Sequence, residues 1–129
     1  MKKMEIPLVF VNNLPTLPVE LNGKIVSFLL DSGASSSVVD STLRKKHNFI
    51  MLAEVDSITG IGGARRVYGV KDIILRYRDK ILKVPKLKTS DLSEVRRAIG
   101  VSGILGSDFL MANLAHVNFK SRSVTINTI

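Results

Sequence analysis

Hydrophobic positions in the first third of the chain fall at strand spacing. Ile6 to Val11 is an apolar, β-prone run, the turn-forming stretch Asn12 to Pro18 breaks it, and Val19-Glu20-Leu21 begins a second strand that meets Asn22-Gly23. Both central residues of a type I′ turn need positive φ, so Asn-Gly between apolar runs predicts a tight hairpin. Lys24 to Leu30 is its return strand, with Val26, Phe28 and Leu30 on one face and Ile25, Ser27 and Leu29 on the other. A strand apolar on nearly both faces belongs inside a domain. It stops abruptly at Asp31-Ser32-Gly33.

Val38 and Val39 restart an apolar segment, and Ser41 to His47 predicts a short surface helix or turn. Ile58 to Val70 carries Gly60, Gly62, Gly63 and Gly69 between β-branched residues, the pattern of a glycine-tipped hairpin. Lys71 to Val84 follows as one or two strands. Asp91 to Ala98 predicts a helix, with Asp91 as N-cap, Glu94 at the capping-box position and Gly100 at the C-terminal stop. Asp108 to Leu114 clusters its apolar residues at helical spacing, and the chain closes with Val117 to Phe119, a turn near Ser121 to Ser123, and Val124 to Ile129. The expectation is a mostly β fold with two or three short helices, and 129 residues make one domain spanning 1–129 the default.

Composition narrows the chemistry. The absence of cysteine excludes disulfides, thiolate metal sites and a cysteine nucleophile together, and two histidines, His47 and His116, leave no cluster with metal-ligand spacing. No metal or other cofactor is expected. A formal charge of +8 raises nucleic acid as a partner, but aromatic residues are only 5% of the chain and the basic residues run from Lys2 to Arg122 without forming one tract. The expectation is therefore a solvated basic surface with no nucleic-acid partner. The best apolar run near the start, Ile6 to Val11, is shorter than a signal-peptide core, and no run reaches the roughly 18 residues that span a bilayer. No membrane partner is expected, and the cytoplasm is the default compartment.

The informative unit is Phe28-Leu29-Leu30-Asp31-Ser32-Gly33-Ala34-Ser35-Ser36-Ser37-Val38-Val39. Asp-Ser-Gly alone is an ordinary turn tripeptide. Its setting between two apolar strands, with Ile104-Leu105-Gly106-Ser107-Asp108-Phe109-Leu110 further on, is far more specific. With these two elements the chain resembles the retropepsin-like aspartic proteases, the single-lobed, dimeric relatives of pepsin. The resemblance extends to the Asn22-Gly23-Lys24 hairpin, to Gly60-Ile61-Gly62-Gly63 where the family has its flap, and to Asp91–Gly100, which resembles the extra helix of cellular and bacterial members. It implies a single-lobed acid-protease barrel and an aspartic endopeptidase acting on a polypeptide substrate as a homodimer. It implies that Asp31 is catalytic, that Ser32 buttresses the dimer at the active site, and that Gly33 completes the turn. Ala34 fits this branch, since two-lobed relatives usually have a hydroxyl residue there. Thr59, Gly60, Ile61, Gly62 and Gly63 become the substrate-covering flap, and Met4 to Val11 and Val124 to Ile129 the dimer-forming terminal strands. Two departures stand out: Ser32 replaces the commoner threonine, and Ser107 stands where viral members often have arginine. The resemblance places Asp108 at a helix start, as a structural carboxylate.

If Asp31 meets its copy, two like charges about 3 Å apart at an effective dielectric near 20 repel by roughly 5 kcal/mol. Both cannot stay ionised near neutral pH, so one proton is shared by the pair. The alternative reading is a catalytically inactive peptide-binding or oligomerisation module on the same fold. Ser35, Ser36 and Ser37 lack a histidine partner in the sequence, which argues against a serine nucleophile. His47 lies in a basic, exposed-looking stretch, and Gly60 to Gly63 lacks the Lys-Ser/Thr pair of a phosphate loop.

Overall fold

The computed structural model describes residues 2–60 and 63–128, with side chains outside 56–65. The chain begins with β1 (Lys2–Pro7), β2 (Val9–Val11), β3 (Leu14–Leu21), β4 (Lys24–Leu30) and β5 (Val38–Asp40), followed by one 3-10 turn at Ser41–Leu43. Next come β6 (Ile50–Gly60), β7 (Gly63–Lys71), β8 (Leu75–Tyr77), β9 (Lys80–Ile81), β10 (Lys88–Ser90) and the helix α1 (Ser93–Ile99). The remainder is β11 (Gly103–Leu105), α2 (Ser107–Ala112), β12 (His116–Asn118) and β13 (Ser123–Thr128).

The strands form a ten-stranded sheet in the order β6-β7-β10-β5-β11-β4-β3-β8-β9, with β2 on β3, and a three-stranded sheet β1-β13-β12. The fold is mostly β, as expected. The large sheet ends at β6 and β9 without returning on itself, so the described strands make no closed barrel.

The run Ile6 to Val11 is not one strand. It splits at Leu8, where the chain passes from the small sheet to the large one and the Leu8 amide donates to Arg122 O at 2.8 Å. The predicted break from Asn12 to Pro18 shrinks to Asn12-Asn13, both at positive φ, and β3 begins at Leu14 despite Pro15 and Pro18. β2 pairs β3 only up to Thr16 and β8 only from Glu20, so Pro18 faces a flank with no paired strand, where a missing N–H is tolerated. The Asn22-Gly23 hairpin forms as predicted, with φ of 50° and 88° and Leu21 opposite Lys24. The Asn22 side chain adds a clamp, accepting from the Ile74 amide at 2.8 Å and donating to His47 O at 2.7 Å.

The glycine-tipped hairpin is longer than Ile58 to Val70: β6 starts at Ile50 and β7 runs to Lys71. The predicted helix at Asp91 starts at Ser93 instead, because Asp91 Oδ1 accepts from the Ser93 amide at 2.9 Å in the turn before it. Gly100 closes α1 at φ 74° with its amide on Arg96 O. Of the short helix or turn predicted from Ser41 to His47, the turn is what forms: a single 3-10 turn followed by further turns.

Two apolar clusters lie beneath this framework. The larger joins Phe28, Leu105, Phe109, Leu17, Leu21, Ile6 and Ile126 across both sheets. The smaller comprises Leu29, Ala34, Val38, Leu92, Val101 and Ile104, with Val95 and Ile99 of α1 packed on it. That smaller cluster brackets Asp31 in sequence and fastens α1 behind its loop. Asp40, fully buried at the end of β5, ties α1 down further: Oδ1 accepts the Thr42 and Leu92 amides at 3.1 Å each, and Oδ2 lies 2.7 Å from Arg96 Nη1. Such a carboxylate needs its partners, since an unpaired buried charge is strongly destabilising.

Candidate active site

β4 and β11 run parallel at the middle of the large sheet, with Phe28, Leu29 and Leu30 opposite Gly103, Ile104 and Leu105. A Cβ on Gly103 would come within 2.3 Å of the Phe28 ring, so only glycine lets the strands carry that phenylalanine between them. Where both strands end, the Asp31 amide donates to Leu105 O at 2.9 Å. The carboxylate thus sits at the exit of a buried strand pair, half-buried itself.

The loop then turns tightly. Gly33 N donates to Asp31 Oδ1 at 3.0 Å, and Ala34 N donates to Asp31 O at 3.1 Å. Ser32, Gly33 and Ser35 are exposed, whereas Ala34 is buried in the smaller cluster. Ala34 O accepts from the Ser107 amide at 2.7 Å, and Gly106 lies against the same carbonyl. The two sequence elements singled out for their rarity are therefore in direct contact.

A second tie lies deeper. Ser37 Oγ donates to Asp108 Oδ1 at 2.7 Å and accepts from the Gly106 amide at 2.9 Å, while Asp108 Oδ2 accepts from the Lys86 amide at 3.3 Å. Asp108 is buried in the first turn of α2 and acts as the structural carboxylate expected, but through a serine hydroxyl and a distant amide. The sequence raises Ser37 only as a nucleophile without a histidine partner and does not mark it for this tie. Its only signal was a run of small hydroxyl residues where a buried strand was about to begin.

The hairpin β6–β7 pairs Gly60 with Gly63, Thr59 with Ala64 and Ile58 with Arg65; Ile61 and Gly62 lie outside the described residues. β7 pairs β10, and β10 runs parallel to β5, the strand leaving the Asp31 loop. The hairpin root and the Asp31 loop thus share one stretch of sheet. Neither histidine joins them. Contrary to its exposed-looking sequence setting, His47 is buried, with Nδ1 3.0 Å from Leu21 O, because the hairpin of β3 and β4 covers it; His116 is exposed on β12. Among the described residues no group of three or more His, Asp or Glu is placed to hold a metal.

A sequence model of the aspartyl protease family matches residues 17–109, the span that holds both the Asp31 loop and the Gly106–Asp108 contact. The chain is similar in structure to the EIAV protease complexed with the inhibitor HBY-793, with a TM-score of 0.57 and 22% identity over 81% of this chain and 93% of that one. It is also similar to a retropepsin-like aspartic protease from Rickettsia conorii, with a TM-score of 0.64 and 15% identity over 98% of this chain and 91% of that one. At such identities these likenesses concern the fold, which is retropepsin-like. No curated protein matches the chain.

Proposed function

Since the chain belongs to the aspartyl protease family, we propose that it is an aspartic endopeptidase, a single domain over 1–129 whose active unit is a homodimer with the two Asp31 carboxylates facing across a twofold axis. The observation that carries this reading is the Asp31 loop itself. Its carboxylate is held by the Gly33 amide at the end of a buried strand, and its outer residues Ser32, Gly33 and Ser35 are open to a partner. One chain supplies one such loop, so a paired site needs two copies.

In that pair one carboxyl is neutral and the other ionised, because two like charges at close range cannot both persist. The ionised group takes a proton from a water held between them as the water oxygen bonds to the peptide carbonyl carbon. The neutral group gives its proton to the carbonyl oxygen. The tetrahedral diol then collapses: its C–N bond breaks as the carboxyl that took the water proton gives it to the leaving nitrogen, and the other carboxylate takes back a diol hydroxyl proton as the carboxyl product forms, with no covalent enzyme intermediate. Ser32 and Ala34 support the loop, Ser32 toward the second subunit and Ala34 through its packing and its carbonyl bond to Ser107. Residues 59–63 act as the flap over an extended substrate: glycines there permit hinge motion and close approach to a peptide backbone.

The test is cleavage of a diverse, unstructured peptide pool from about pH 3 to 8, comparing the chain with Asp31→Asn. Fragments are expected from the unmodified chain alone. Equal cutting by both would remove Asp31 from the chemistry, and no cutting by a stable dimer would favour a module that binds peptide without hydrolysing it.

A further inference from the structure

Four cations gather on and beside β8 and β9, at one end of the large sheet. Residues 73–83 hold four Lys or Arg, Arg76, Arg78, Lys80 and Lys83, against Asp79, a net +3 of the whole chain's +8. They build β8, β9 and the start of the segment leading to β10, and among the described residues the two ion pairs, Arg66–Glu54 and Arg96–Asp40, involve none of them. The charge is also shaped. Arg76, Lys80, Ile81 and Lys83, with the single acid Asp79, line a cleft of about 340 Å³ together with Asn127 and Thr128 at the end of β13. Ile81 is 60% exposed and lies directly across from Arg76. β9 is the last strand of the sheet, so its outer edge pairs no strand among the described residues.

We propose that this cleft and the open edge of β9 form a docking site for an acidic, extended polypeptide, separate from the Asp31 loop. Three features select that partner. An open strand edge offers main-chain donors and acceptors to another strand. An exposed isoleucine set among cations suits a chain that alternates apolar and carboxylate side chains, since alternate residues of a strand face the same way. Cations lining a concavity are reached by an inserted chain and not by a flat bilayer. Nucleic acid finds no stacking surface, because Tyr77, the aromatic residue of the hairpin, is buried with the Arg78 guanidinium 5.6 Å from its ring centre. Asp79 within the cleft and Glu20 across from Arg76 disfavour close approach of a continuous anionic surface, whereas a strand can set an apolar residue opposite Asp79 and its carboxylates opposite Arg76, Lys80 and Lys83.

The probe is a fluorescein-labelled peptide alternating Glu with Val, titrated with the full chain by fluorescence anisotropy. Its competitors are the same peptide with Lys in place of Glu, oligothymidylate, and phosphatidylserine vesicles. Binding of the acidic peptide that weakens with salt, and a loss of about tenfold or more in Lys80→Glu/Lys83→Glu, are expected. Should that variant show an altered thermal unfolding curve, Ile81→Ser, at an exposed position, is expected to weaken binding in its place. Unchanged affinity in the folded variants, no binding of the acidic peptide, or preferential binding of oligothymidylate or vesicles would overturn the proposal. The readout needs no turnover, so it stands or falls independently of whether Asp31 is catalytic.

Discussion

Gly106 sets how closely the Asp31 loop approaches the strand beside it. A Cβ at this position would lie 2.3 Å from the Ala34 carbonyl oxygen, a backbone atom that cannot swing aside. The φ of −100° is open to any residue, so the restriction is steric and not conformational. Gly106→Ala is expected to destabilise the chain by about 1–3 kcal/mol, read as a lower urea midpoint with unchanged slope, and to depress peptide cleavage by moving the loop. A midpoint and an activity equal to those of the unmodified chain would show that the loop does not depend on this contact. At this scale the turn at Asp31 and Gly33 and the helix start after Gly106 are legible, the first as ordinary turn chemistry and the two together through their rare pairing in one chain. Ser37 and His47 are not. A serine within a serine run, or a histidine after three basic residues, has its sequence neighbours in view, whereas its partners here are Asp108 and Leu21, 71 and 26 positions away.

Elements were read best where local chemistry alone decides them. The Asn22-Gly23 turn and the Gly100 stop each need a positive φ, and both occur where the residues demand it. β3 reads as a break because it holds two prolines, each tolerated where one flank pairs no strand: Pro15 lies before the β4 pairing begins at Thr16, and Pro18 lies between the stretches paired by β2 and β8. β10 and β11 were missed as strands because three residues carry too little periodicity; they exist through parallel pairing with β5 and β4. The start of α1 gives an element-scale prediction. A helix of seven residues has little stability of its own. Hydrogen bonds from Ser93, its side chain first and its amide second, hold the Asp91 carboxyl below its ordinary range against a small opposing effect of burial, with Arg96 and Arg97 adding to the lowering. A carboxyl lowered by folding stabilises the folded state above its unfolded value, and that contribution disappears as pH falls through the folded value. The unmodified chain should therefore exceed Asp91→Asn in stability at neutral pH, and the gap should close on titration below about pH 4. A gap that stays constant into strong acid would remove the charge from the account.

The whole molecule decides whether one chain can act. β1 and β13 pair along six positions, Lys2 with Thr128 through Pro7 with Ser123, so the terminal strands complete each other within one chain. β13 lies between β1 and β12, so among the described residues β1 is the terminal strand with an edge that pairs no strand, and the proposed homodimer would draw on that edge and on the surface around the Asp31 loop. On and just beyond α2, which begins where that loop is clamped, Met111, Leu114 and Phe119 are 74%, 63% and 64% exposed, apolar area that association would remove from water. If the site is shared, activity is a property of the pair. Specific activity should fall on dilution as sedimentation shows monomer accumulating, and constant activity where only monomer remains would contradict the homodimer. Mixing sharpens the test. When unmodified and Asp31→Asn chains exchange freely, dimers with two carboxylates form as the square of the unmodified fraction, so an equal mixture should keep about a quarter of the activity. Retention of about half would mean that each chain cuts alone, and the second Asp31 would have no part in the reaction.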